Sequence, residues 1–139
     1  MAKYALEARS RAGETEKMTI NLGVVDLGQI DLLVQEGFYS NRTDLIRTAI
    51  RNQLTVHAEE VKRTIARRTM VLGLQHFGKA DLERALAAGE MLQIQAVGLV
   101  RIANDVTPKL ARDTIGSVTV LGALHAPPAV RKALADRIS

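Results

Sequence analysis

The chain has no cysteine and no tryptophan, and only two tyrosines, two phenylalanines and three prolines among 139 residues. Without cysteine there is no disulfide, no thiolate metal site and no thiol nucleophile, and a reducing compartment is compatible with the chain. Tyr4, Phe38, Tyr39 and Phe77 are too scattered to build the aromatic platforms on which single-stranded nucleic acids stack their bases. No apolar run reaches the length that crosses a bilayer. The opening Met-Ala-Lys-Tyr-Ala-Leu-Glu-Ala-Arg-Ser also lacks the apolar centre of a secretion signal, so no membrane association and a cytoplasmic location are expected. A Gly-rich phosphate loop, a nucleophile elbow and clustered carboxylates are missing too, and neither an enzyme activity nor a cofactor is expected.

What is present is aliphatic: 47% of the residues are hydrophobic, so a core must be built from Leu, Ile, Val, Ala and Met. The formal net charge is +4, but it is not concentrated where a nucleic acid would most simply use it. Residues 1–57 carry seven basic and seven acidic side chains, and the excess lies in 58–70 and 71–139. Bulk electrostatics is therefore a weak argument for a polyanionic partner, and pattern has to carry the case.

Residues 1–15 are polar, mixed in charge and without period, and read as a flexible arm. Lys17-Met18-Thr19-Ile20-Asn21-Leu22 then alternates polar and apolar, the period of a strand with one buried face. After Gly23, the spacing of Leu27, Ile30, Leu33 and Val34 predicts a first helix, with Gly37 as its stop. Ser40 is the expected cap of a second helix striped by Leu45, Ile46, Ala49, Ile50 and Leu54, and Ala58, Val61 and Ile65 prolong the stripe or restart it near Glu59. A strand this short is not stable alone, and nothing in the next fifty residues alternates to match it. The same strand from a second copy would complete an antiparallel two-stranded ribbon about a two-fold axis.

The second half repeats itself. Val71-Leu72-Gly73-Leu74, Ala96-Val97-Gly98-Leu99 and Val120-Leu121-Gly122-Ala123 superimpose, each followed by a turn and a helical pattern, with Thr107-Pro108 and Pro128 as helix openers. Strand-turn-helix units of this size predict parallel strands joined by right-handed crossovers. Leu72, Leu74, Val97, Leu99, Leu121 and Ala123 would form one apolar face, and Val71, Val100, Val120 and Leu124 the other. One helix per unit covers only one face, so the second face or the open edges are expected to meet another copy or a protein partner. His76, Arg101 and His125 fall in one row. An arginine between two histidines is a poor cation site, and no metal is expected.

The order strand, helix, Gly37-Phe38-Tyr39-Ser40-Asn41-Arg42-Thr43-Asp44-Leu45-Ile46-Arg47 over residues 16–56 resembles the ribbon-helix-helix family of Arc, MetJ and CopG type. The resemblance implies a homodimer that lays its β-ribbon in the major groove of double-stranded DNA. Carried over position by position, Lys17, Thr19 and Asn21 contact bases and Ser40, Asn41 and Arg42 contact phosphate. Met18, Ile20, Leu22, Ile30, Ile46 and Ile50 form the dimer core. Side-chain chemistry is consistent with these roles: lysine donates to guanine, asparagine pairs with adenine, and threonine offers a hydroxyl and a methyl group. Amides at the start of the second helix form an anion site without a basic surface.

The chain is thus expected to be α+β. A flexible arm (1–15) precedes a ribbon-helix-helix domain (16–57), a helical connector (58–70) and a small α/β region with parallel strands (71–139) for oligomerisation or partner binding. The expected function is a sequence-specific, nucleoid-associated transcriptional regulator, a repressor, with no catalytic residues. Two alternatives stand beside it: an antitoxin whose C-terminal region binds a toxin, and an architectural or partition DNA-binding protein.

Overall fold

A computed structural model describes residues 14–139. The chain divides into two compact units. One is Lys17–Thr64; the other is built from Ile65–Ser139 together with the segment ending at Glu16.

In the first unit, helix α1 (Val24–Gln35) starts after Gly23, with Asp26 in its first turn to complement the helix dipole. It closes where the sequence places the stop. The Gly37 amide donates to the Val34 carbonyl and the Phe38 amide to Leu33, at 3.1 and 3.0 Å, around a φ of +85° at Gly37. That is a Schellman closure, and the left-handed conformation it needs is open to glycine at no steric cost. Helix α2 (Arg42–Val56) ends at His57, and α3 (Ala58–Arg67) restarts at once, near the position the apolar stripe indicated. No residue from Lys17 to Thr64 is buried.

The expected cap of α2 needs correction. Asn41, not Ser40, accepts the Asp44 amide on its Oδ1 at 2.8 Å, while Asp44 Oδ2 reaches back to the Ser40 amide at 2.9 Å. The capping geometry runs from a cap residue to the third position beyond it, and Asn41 has its aspartate there whereas Ser40 has Thr43.

The second unit is a parallel three-stranded sheet in the order β1 (Val71–Phe77), β2 (Leu92–Ile102), β3 (Ile115–His125). Each strand is followed by a helix: α4 (Lys79–Ala87), α5 (Pro108–Thr114) and α6 (Pro128–Ala133). Thr107 Oγ1 accepts the Leu110 amide at 3.1 Å and Pro108 occupies the first turn, so α5 begins as its sequence indicates. Leu82, Leu110, Ala111 and Val130 from the helices pack with Ile94, Ala96, Val100, Ile102, Ile115 and Val118 from the strands in one core. Leu121 and Leu72 remain 50% and 39% exposed, in a register row with Val97.

Gly73, Gly98 and Gly122 sit side by side in the sheet register. A Cβ on Gly98 would fall on the Gly73 carbonyl, and one on Gly122 on the Gly98 carbonyl, at backbone φ angles of +136° and +124°. Glycine is required there because the strands approach through the space a side chain would fill.

Two expectations change. The sheet does not leave both edges bare: Val118 on β3 receives the Ser139 amide on its carbonyl and gives its own amide to Arg137, both at 2.9 Å, so the chain's end lies along that edge. The arm expected at 1–15 falls outside the described residues up to position 13, but Glu14 at its end is fixed by Arg101.

Candidate nucleic-acid interface

The segment read as a ribbon strand, Lys17–Leu22, carries neither helix nor strand in the single chain. A β-ladder needs a second strand, and none is paired with these residues among the described residues. Lys17, Thr19 and Asn21 are exposed, and among the described residues their side chains make no hydrogen bond or ion pair. Between them, Met18 is 73% exposed, Ile20 53% and Leu22 37%. Such apolar exposure in strict alternation with polar residues is a surface prepared for burial rather than for water.

The helices have the same incompleteness. Ile30 on α1 and Ile46 on α2 are half-buried, Ile50 is exposed, and Leu32, Leu33, Leu54 and Val56 are exposed as well. Three helices that bury none of their residues have no core of their own.

At the start of α2, the three residues expected at phosphate come together, but their donors are not all free. The Ser40 amide is taken by Asp44 and the Asn41 side chain by the Asp44 amide. Arg42 grips Asp31 of α1 with Nε and Nη2, both at 2.8 Å. That pairing holds the Asp31 carboxyl below its usual range, first through the hydrogen bond and then through the guanidinium charge, and it raises Arg42 for the same reasons. The amides of Arg42 and Thr43 have no acceptor among the described residues, and an anion at this helix end would meet those two first. Asp31 escaped the sequence reading, because an ion pair between residues eleven apart follows from how two helices meet and not from any local motif.

In the sheet unit, His76, Arg101 and His125 lie in one register row. Arg101 Nη2 donates to Glu14 at 2.6 Å, and His125 Nε2 lies 2.5 Å from Glu16. Neither glutamate stood out in the sequence. No group of three or more histidine, aspartate or glutamate side chains able to hold a metal occurs among the described residues. No helix among them is long and apolar enough to cross a membrane.

A family model described as "Ribbon-Helix-Helix transcriptional regulator family" matches residues 13–131, reaching through the helical unit and most of the sheet unit. Comparison with curated proteins and with solved structures gives no match.

Proposed function

The chain belongs to the ribbon-helix-helix transcriptional regulator family, and on that premise we propose that it is a dimeric repressor that lays a two-stranded ribbon, Lys17–Leu22 from each copy, in the major groove of DNA. The observation that carries this reading is the absence of any buried residue from Lys17 to Thr64. A second copy pairing with the exposed segment would cover Met18, Ile20 and Leu22, and with them Ile30, Ile46 and Ile50. The polar row Lys17, Thr19 and Asn21 would then face the base edges, three residues from each chain.

Phosphate would be held at the start of α2. The Arg42 and Thr43 amides and the helix dipole supply the attraction, Asn41 and Ser40 fix the turn, and Arg42 contributes its guanidinium by sharing or leaving Asp31. Because Lys17 is the one cation of the outward row, specificity rests on hydrogen bonds more than on charge.

The test is a gel shift on DNA recovered by genome-wide binding, comparing the parent protein with Lys17→Ala and Asn21→Ala. Each base contact is worth about 1–3 kcal/mol and occurs twice in a two-fold complex. Specific affinity should therefore fall at least tenfold while circular dichroism stays unchanged. Full affinity in both variants would remove the base-reading assignment.

A further inference from the structure

We propose that the face of the sheet not covered by helices binds a small apolar carboxylic acid, and that Glu14 and Glu16 occupy the anion positions of that site until the ligand displaces them. The site lies wholly within the sheet unit. A cavity of about 420 Å³ opens over Leu72, Leu74, Val97, Leu99, Leu121 and Ala123, with Glu14, Glu16 and His125 at its margin. That volume falls in the range that encloses small organic ligands, roughly 300–1,000 Å³.

The lining decides the chemistry. The floor is aliphatic side chain and glycine backbone, which offers nothing to a sugar or a nucleotide base and favours a hydrocarbon tail. Arg101 lies beside His125 in the sheet register, each two residues beyond Leu99 or Ala123 on its own strand and so on the same face, and it reaches the cavity's margin through the lining residue Glu14. Both already hold carboxylates: Arg101 that of Glu14, itself only 18% exposed, and His125 that of Glu16. A ligand with the same head group and an apolar tail matches both features at once. An amine would meet two carboxylates already engaged by Arg101 and His125, and an alcohol would leave Arg101 without an anion if it displaced Glu14.

This placement has a consequence that rests on the proposed DNA-binding function. Glu16 is covalently next to Lys17, the first residue of the base-reading row. While Glu14 and Glu16 are held, the entry to the ribbon is fixed. When a carboxylate takes Arg101 and His125, the entry is released, ordering it on DNA costs more, and specific affinity falls.

The experiment is isothermal titration of the full chain with hexanoate, octanoate and octanol, followed by the gel shift with and without octanoate. Octanoate should bind saturably, one per chain. Hexanoate should bind about fifteenfold more weakly, since each buried methylene is worth about fourfold. Octanol should bind at least tenfold more weakly than octanoate. Arg101→Gln should weaken octanoate at least tenfold, and Glu14→Gln, which removes the internal competitor, should strengthen it severalfold. The second variant keeps the test decisive if the first fails to fold.

Absence of saturable binding, equal binding of acid and alcohol, or no gain in Glu14→Gln would overturn the proposal. So would failure to bind octanoate together with self-association that Leu121→Glu abolishes, since the face would then belong to a second copy. Saturable binding that leaves DNA affinity unchanged would overturn the coupling to the ribbon. A parent protein that takes octanoate saturably but retains no specific DNA binding would support the site and sink the regulator reading alone.

Discussion

Between Lys17 and Thr64 no residue is buried, whereas from Met70 to Leu134 fifteen apolar side chains and Thr114 are. Both stretches are rich in leucine, isoleucine and valine at regular spacing, so composition does not separate them. The difference lies in what each has to pack against. In the sheet unit, every strand delivers its own helix onto the sheet, and one chain closes one core. In the helical unit, the apolar stripes of α1 and α2 and the alternating segment before them have no layer to meet. On the proposed reading such a unit acquires its core by association, and its folding would then depend on concentration.

The sharpest way to break this contrast is Ile20→Ala. If the segment is a dimer core, the substitution removes buried aliphatic volume twice per dimer, at about 2–5 kcal/mol each. Sedimentation should show dissociation, while the melting transition of the sheet unit stays in place. A variant that remains a tight dimer would show that the copies meet elsewhere.

Gly98→Ala is the reciprocal experiment. The added Cβ meets the backbone of β1 at a φ of +136°, and neither the carbonyl nor the register can yield cheaply. We expect a loss of about 4 kcal/mol in the sheet unit, read as a lower melting temperature, with ribbon dimerisation retained. An unchanged melt would mean that the glycine row can spread apart.

A smaller effect, of opposite sign, is expected at the end of α3. Thr69 has a φ of +53°, a left-handed conformation that is strained for a β-branched residue, and it closes the helix through the Met70 amide to Ile65 at 2.9 Å. Thr69→Gly should raise stability by about 1 kcal/mol in chemical denaturation.

The smallest effect is one the two units share. Asp31 beside Arg42 in the helical unit and Asp136 beside Arg112 in the sheet unit both have carboxyl groups lowered chiefly by hydrogen bonds from their arginines. A folded value below the unfolded one gives stability that is present above the unfolded pKa and fades as pH falls through the depressed value. Both pairs are exposed, so the loss is shallow. Asp31→Asn should flatten the acid limb below about pH 4 for the helical unit only, and Asp136→Asn for the sheet unit only, as followed by residue-resolved melts at pH 3 and pH 6.

Much of the architecture was legible in the residues. Gly37 stops α1 and Thr107-Pro108 opens α5, each because a local backbone requirement selects those residue types. The alignment of Gly73, Gly98 and Gly122 in sequence became their alignment in space, since equivalent positions of each strand-turn-helix unit fall into register despite spacings of 25 and 24 residues. The cap of α2 was misread by one residue, although the offset from Asn41 to Asp44 carried the answer. The alternation in Lys17–Leu22 marked an apolar face, but the strand itself is not formed within one chain.

The sequence alone therefore determined the helices, the strands of the sheet unit, most of their ends and the apolar faces, because those depend on neighbours within a few residues. Tertiary structure decided which charges meet. Glu14 and Arg101 stand 87 residues apart, Arg42 and Asp31 meet only where two helices converge, and the C-terminal residues reach the β3 edge only once α6 has turned the chain back. An ion pair or an edge contact is a matter of distance in space, and chain spacing carries no record of it until the core has formed.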